Sequence, residues 1–391
     1  MNRRIDPVVI IIPILLCGAG LLIIYGNGSA PFFRQQLIWL GISLLVFLSF
    51  LLISPRILYA WAYPFYLLTI ISLILVLFVA DKSPKRWLHL GWFNFQPSEL
   101  MKFGYILVLS KYLSLQKKIR LRFKSLIIPI LLTLIPMGLI LAEPNLGTAI
   151  IFLPIFAGLL YLKGLRPLHL FILFSPLFSI VAALSLPSWI LYMVVLSLLL
   201  FLKSSIGSTL STIGLNSITG LLTPVTWSML HGYQRERVLG FFSPWIDPKG
   251  VSWQVIQSKI ALGSGRFFGK GLFSATQAKL EFLPNAHTDF IFATLGEEFG
   301  FIGCLSVIAL FLIFLSKMIS ETIHTREEFS SLYIWGFVIL ISWEVFFNIA
   351  MTLGIMPVAG IPLPFMSYGG SSLLVNFAML GFALNLLRYR Y

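Results

Sequence analysis

The chain has 391 residues, 58% of them hydrophobic and 11% charged, with a mean hydropathy of +0.94. That leaves too little polar surface to coat a water-soluble globule of this size. The net charge of +14 would suit nucleic acid, but the basic residues are dispersed over many loops instead of gathered on one face, which argues against it; anionic lipid is the better partner for those on the inner side.

Apolar runs long enough to cross a bilayer, about 17 to 25 residues each, recur from end to end. They are predicted at 8–26, 37–53, 61–80, 98–115, 126–142, 146–162, 168–185, 188–202, 209–230, 289–315, 332–353 and 371–387. The run at 188–202 is short, and 209–230 carries several Ser, Thr and Gly residues. The predicted architecture is an all-α, polytopic transmembrane helical bundle of about twelve spans. It forms one membrane domain over 1–391: N-terminal spans in 1–230, a large extracytoplasmic loop at 231–288 before the tenth span, and C-terminal spans in 289–391.

The charges test this topology, because short cytoplasmic loops collect Lys and Arg. With both termini cytoplasmic, that side holds sixteen of the 28 basic residues, including Lys117, Lys118, Arg120, Arg122 and Lys124. The short outer loops hold four, Arg34, Lys82, Lys85 and Arg86, and seven lie in the large loop. Arg3 and Arg4 before the first span resemble a cleaved signal, but the apolar run is long and Leu16 is too bulky for lipoprotein cleavage at Cys17, so an uncleaved anchor is expected. Cys17 and Cys304 fall in spans far apart in sequence, and no disulfide is expected.

Polar residues concentrate on the outer side. From Asp81 to Lys102, Trp87, Trp92, Phe93 and Phe95 alternate with Lys85, Arg86 and His89, a composition suited to the membrane interface. Pro97 and Ser98 then read as a helix start, and Glu99 and Lys102 share a helical face three residues apart. Two opposite charges so close to hydrocarbon pair, either to fix two helices or to bind substrate. Glu143-Pro144-Asn145 is a tight break between spans, where Glu143 either lines a cavity or is a plain loop acid.

In the large loop, Arg235, Arg237, Lys249, Lys259, Arg266, Lys270 and Lys279 outnumber three acids and are interleaved with aromatic residues, which suits a phosphate-bearing lipid. Gly263 to Gly271, with Arg266 and Lys270, either cradles a pyrophosphate through backbone amides or is an ordinary turn. At the end of that loop Asp289 follows His287 and Thr288 where polar chain runs into an apolar helix. A carboxylate at the rim of a membrane is a functional candidate; the plain alternative is that Thr288 or Asp289 caps the helix. Glu344 and Asn348 share one face of a later span, where an interhelical hydrogen bond is the expected role. Gly360 to Ser372 has two prolines and adjacent glycines that forbid a continuous helix, so it is expected to line a site or form a re-entrant turn. The five histidines have no metal-ligand spacing.

Taken together, Gln96 to Lys102, His231 to Arg237, Gln257-Ser258-Lys259, Gly269-Lys270-Gly271, Leu283 to Glu298 and Pro364 to Ser372 resemble, in order and over nearly the whole chain, the SEDS family (shape, elongation, division and sporulation). Leu100-Met101 and Phe365-Met366 are more similar to the elongation branch, the RodA-type rod-shape proteins. The resemblance implies a peptidoglycan glycosyltransferase of the bacterial cytoplasmic (inner) membrane that polymerises lipid II for cell elongation. It further implies a class B penicillin-binding protein, the crosslinking transpeptidase, and other membrane proteins of the elongation complex as partners. It places the essential aspartate at Asp289, a Glu–Lys pair at Glu99 and Lys102, and an arginine pair at Arg235 and Arg237; Lys259, His287, Lys270 and Ser367 to Ser371 (Ser367, Tyr368, Gly369, Gly370, Ser371) fall within its motifs as candidate substrate-binding residues. Two departures stand out. The family usually has ten spans, and three apolar segments lie between Leu165 and His231 where one is expected; Glu143-Pro144-Asn145 stands where the family more often has Gln-Pro-Asp.

An α-linked pyrophosphate donor and a β-1,4 product require one inverting displacement, with a base on the acceptor side and cations on the leaving side. Asp289 is the expected general base. Arg235, Arg237, Lys270 and Lys102 are the expected cations, and a divalent ion, Mg or Mn, bridging the phosphates follows from the same charge argument. Two other classes stay open: a flippase or transporter of the lipid-linked precursor, to which intramembrane charges such as Glu99, Lys102 and Glu344 also point, and a non-catalytic scaffold.

Overall fold

The structure, a computed structural model, describes residues 6–28, 30–79, 85–91, 93–116, 123–229, 232, 235, 240–241, 251–280 and 282–388. Each predicted span is helical. In chain order the elements are α1 (Val8–Gly26), α2 (Ala30–Leu52), α3 (Pro55–Val79), β1 (Leu88–Leu90), β2 (Phe93–Phe95), α4 (Pro97–Ser114), α5 (Phe123–Ala142), α6 (Leu146–Leu162), α7 (Pro167–Ala182), α8 (Leu186–Lys203), α9 (Ile206–Leu221) and α10 (Thr223–Met229). They continue with α11 (Val251–Ser264), α12 (Thr276–Lys279), α13 (Ile291–Ile323), α14 (Glu328–Thr352) and α15 (Gly370–Arg388). Eight of these are long and apolar enough to cross a membrane, and α6 and α7 are shorter apolar helices. Of the other two predicted spans, α4 carries Glu99, Lys102 and Lys111 and buries nearly all its length, while α9 is rich in Ser and Thr. Leu45, Phe78, Leu191 and Leu202 turn outward from the bundle, which lipid tolerates and water does not. The chain is a multi-pass membrane protein.

The core is built around α4, α14 and α15, whose residues are the most completely buried. α2 lies along α15, α3 along α4, and α14 touches α4, α6 and α13. Tyr105, Tyr333, Phe103 and Phe382 fill the centre, with the Tyr333 and Phe382 rings 4.7 Å apart at 71°. Two details differ from expectation. The stretch before α4 forms a small antiparallel hairpin, β1 on β2, with His89 opposite Asn94 and Gly91 at φ 71° supplying the turn. The tenth span is not one continuous helix from 289: Gly300, at φ 66° and ψ −161°, breaks α13 into a buried piece over 291–299 and a longer one over 301–323. The break is imposed from outside, because a Cβ on Gly300 would lie 2.3 Å from the Gly269 nitrogen and 2.7 Å from the Phe267 carbonyl.

Helices α7, α8 and α9 bond to one another. Asn216 of α9 is fully buried; its amide donates to Ser175 Oγ at 2.8 Å and to the Thr212 carbonyl, and its oxygen accepts from the Tyr192 hydroxyl at 3.0 Å. Ser179 Oγ donates to the Asn216 carbonyl and accepts from the Trp189 indole. This seam partners Ser175, Ser179 and Asn216 with groups inside α7, α8 and α9. The unit rests on the rest of the bundle through α7 against α6, where Phe174 meets Phe156.

Candidate active site

Asp289 sits in the turn that precedes α13. Asn285, at φ 55°, accepts the backbone N–H groups of Thr288 and Phe290 at 3.1 and 3.2 Å, so the chain folds back before the helix begins. The helix cap is Phe290, whose own side chain makes no capping hydrogen bond, and Thr288 Oγ donates to the Asn285 carbonyl. The Asp289 side chain is partly exposed, and its carbonyl accepts from Asn348 Nδ2 at 2.9 Å. Gly360, at φ 69°, passes so close that a Cβ there would lie 3.5 Å from Asp289 Oδ2.

The segment after Gly360 is non-helical, as its prolines and glycines require, and forms the facing wall. Ser367 Oγ donates to the Thr288 carbonyl at 2.6 Å and accepts from Leu363 N–H at 2.8 Å. The Tyr368 N–H donates to the His287 carbonyl at 2.9 Å. α2 ties in from the third side: Gln36 donates to the Ser367 carbonyl and accepts from Gly369 N–H, and Gln35 accepts from the Tyr368 hydroxyl. Ser371 Oγ joins this wall to the hairpin, donating to the Asn94 carbonyl and accepting from Gln96 N–H. His287 stacks on Phe32 at 4.3 Å and 18°, with Tyr368 edge-on to both. Burial holds the His287 pKa below its ordinary 6.5, so the imidazole is neutral at pH 7.

Between these walls lies a cavity of about 550 Å³. Trp39, Trp87, Phe32 and Tyr368 give it aromatic faces; Gln35, His89, Asn94, His287 and Thr288 give it neutral polar groups; Gly369 and Gly370 open it at the start of α15. A Cβ on Gly370 would lie 2.1 Å from the Trp39 indole. Among the described residues, no Lys, Arg, Asp or Glu lines it. Neutral hydrogen-bonding groups set among indole faces are what a sugar ring with its amides and hydroxyls needs, whereas a pyrophosphate needs cations.

The candidate cations lie elsewhere. Lys102 is 1% exposed and held between Glu99 Oε2 at 2.7 Å and Glu344 Oε1 at 2.6 Å, a closed triad joining α4 to α14. Lys270 pairs with Glu297 at 2.6 Å and donates to Thr276 Oγ at 3.0 Å. The neighbouring glycines serve backbone packing: a Cβ on Gly265 would meet the Gly296 carbonyl at 1.9 Å, and one on Gly269 the Glu298 carbonyl at 2.1 Å. Lys259 is exposed on α11 with its stem against Gly354. Arg235 donates to the Ser228 carbonyl; Arg237 lies outside the described residues. Among the described residues no three His, Cys, Asp or Glu come together, so these side chains form no protein cage for a divalent ion. Gln35, Gln36, Trp39 and Asn94 join the site without having stood out in the sequence; the Gln pair beside an apolar run was the available signal.

Residues 7–193 and 170–391 match the family model described as cell cycle protein, FtsW/RodA/SpoVE. The chain belongs to this family. The two matched stretches overlap over 170–193, inside the α7–α9 unit. Among relatives, the peptidoglycan glycosyltransferase MrdB of Escherichia coli K12 is 32% identical over 392 residues, covering 99% of this chain and 94% of its own. The peptidoglycan glycosyltransferase RodA of Treponema pallidum is 36% identical over 327 residues, covering 74% and 73%. A chain of a solved peptidoglycan synthase complex, concerned with the coordination of polymerization and crosslinking, superposes with a TM-score of 0.74 at 27% identity over 99% of both chains. The rod shape determining protein RodA of Thermus thermophilus shares the fold, with a TM-score of 0.66 at 24% identity over 99% of this chain and 98% of that one.

Proposed function

We infer that this FtsW/RodA/SpoVE family member is a peptidoglycan glycosyltransferase, that its substrate is lipid II, and that Asp289 is its general base. The observation that carries the assignment is the partly exposed Asp289 carboxylate, next in the chain to Thr288, which lines a cavity whose described residues are aromatic or uncharged. The carboxylate takes the proton of the acceptor sugar's C4 hydroxyl as that oxygen attacks C1 of the donor, the pyrophosphate leaves from the opposite face, and the centre inverts. General-base assistance of this kind supplies about 10²- to 10⁴-fold. The neutral His287 places no competing cation beside it.

Trp39 and Trp87 offer faces for a saccharide, with Gln35, His89 and Asn94 for its hydroxyl and amide groups. The leaving pyrophosphate gathers charge and draws on preplaced cations. Lys102 serves the fold in its closed triad, so that role falls to the basic side of 231–288: Arg235, Arg237, Lys259 and, by exchange from Glu297, Lys270. Mg or Mn would be bound by the substrate phosphates with few protein ligands.

The membrane is the bacterial cytoplasmic membrane, with both termini cytoplasmic and Asp289 on the outer face; the excess of Lys and Arg in the opposite loops supports this orientation. A class B penicillin-binding protein is the proposed partner, supported by the likeness to a chain of a peptidoglycan synthase complex; other elongation-complex membrane proteins complete the assembly. The test is polymerisation of lipid II by the purified chain with its partner. Asp289→Asn keeps size and removes the base, and is expected to lower the rate at least 10²-fold; a wild-type rate would refute the assignment.

A further inference from the structure

Asn348 has two hydrogens on its amide nitrogen, and both are used on the site's framework. Nδ2 donates to the Asp289 carbonyl at 2.9 Å and to the Ile361 carbonyl at 2.8 Å. The reverse orientation would set an oxygen against two carbonyl oxygens, so these contacts fix which way the amide points. The side chain is fully buried, and its Oδ1 has no hydrogen-bond partner. A buried amide whose two hydrogens both go to backbone carbonyls is held in place by them, and holds them in turn. The residue is anchored from behind: one helical turn earlier on α14, Glu344 grips Lys102, which also grips Glu99 of α4.

We propose that Asn348 is a positioning residue: its amide clamps the backbone of Asp289 to the 361 segment of the facing wall and so sets where the carboxylate stands beside Gly360. The two carbonyls belong to segments 72 residues apart, the turn that carries Asp289 and the turn that runs on to Ser367 and Tyr368. No other described side chain bonds both. Ser367 and Tyr368 join the same two segments one and two residues upstream of Asp289, at the Thr288 and His287 carbonyls, so loss of Asn348 leaves the walls together and releases the Asp289 carbonyl from the 361 segment. A shift of about 1 Å in a reacting group costs on the order of 10²-fold in rate.

This rests on Asp289 acting as the base, and the experiment separates the two claims. Asn348→Leu keeps the volume and removes both donors; Asn348→Ser keeps one donor and little volume. Each is purified with its partner, and backbone hydrogen–deuterium exchange over 285–292 and 360–367 is followed beside the kcat and KM for lipid II. The expected result for Asn348→Leu is faster exchange in those two segments, unchanged exchange in α4, and a fall in kcat of about 10²-fold with KM within twofold. Asn348→Ser is expected to fall between this and wild type, and it decides the matter if the Leu variant does not accumulate. Wild-type kcat with wild-type exchange in a folded variant overturns the proposal, as does a loss confined to KM. An inactive wild-type protein would instead overturn the functional reading, leaving the exchange result to judge the clamp.

Discussion

Replacing Glu143 with Gln is expected to stabilise the protein, and to do so only above a defined pH. Glu143 follows α5 in the tight turn before α6; it is fully buried and neither carboxyl oxygen has a hydrogen-bond partner. Arg86 is nearby, but its guanidinium donates to the backbone carbonyls of Glu143 and Pro144. Burial therefore outweighs the arginine and pushes the carboxyl from its ordinary 4.5 to about 8. Between those two pH values the folded chain keeps a proton that the unfolded chain releases, so wild-type stability falls as pH rises through the window, with no effect below 4.5 and the full effect above about 8. At about 1.4 kcal/mol for each tenfold change in proton affinity, the gap from 4.5 to about 8 sets a ceiling of about 5 kcal/mol. Gln has the same shape and no proton to lose. Thermal unfolding of both proteins in one detergent from pH 5 to pH 9 isolates this group, because all other titrations cancel in the difference. The variant's advantage is expected to grow across the range and level off above pH 8. A difference independent of pH, or a variant less stable at pH 9, would refute the reasoning.

Three further substitutions test the fold. In the triad, Lys102→Met leaves Glu99 and Glu344 buried without a cation and is expected to cost about 3–5 kcal/mol. Glu344→Gln leaves a neutral Lys102–Glu99 pair and is expected to cost at most about 1–2 kcal/mol, so a thermal melt that ranks them the other way would sink the account. Gly300→Ala places a methyl 2.3 Å from the Gly269 nitrogen at a positive φ and is expected to destabilise by about 3 kcal/mol or more; its signature would be proteolytic opening of the 265–277 segment, and resistance equal to wild type would contradict it.

What the sequence made legible follows from the solvent. A bilayer demands long apolar runs, so the twelve segments, the break at 360–369 and the start of α4 at Pro97 were readable from composition and punctuation. Gly300 was not, because glycine is common in membrane helices and this one is broken by Phe267 and Gly269 packing against it. The Glu99–Lys102 pairing follows from helical spacing, but Glu344 arrives from 242 residues away, and with it the reading of Lys102 changes from a cation available to substrate to one already committed. Asp289 could be named from its motif; the indoles, the glutamines of α2 and the amide of Asn348 that give it a setting come from other helices, through contacts that no local pattern encodes.

In the α7–α9 unit Asn216 bonds to α7 and α8, and among the described contacts α7 lies against α6, while the described hydrogen bonds around Asp289 come from α2, α14 and the 360–369 turn. The three helices contribute none of these bonds, and they widen the footprint of the protein in the lipid sheet.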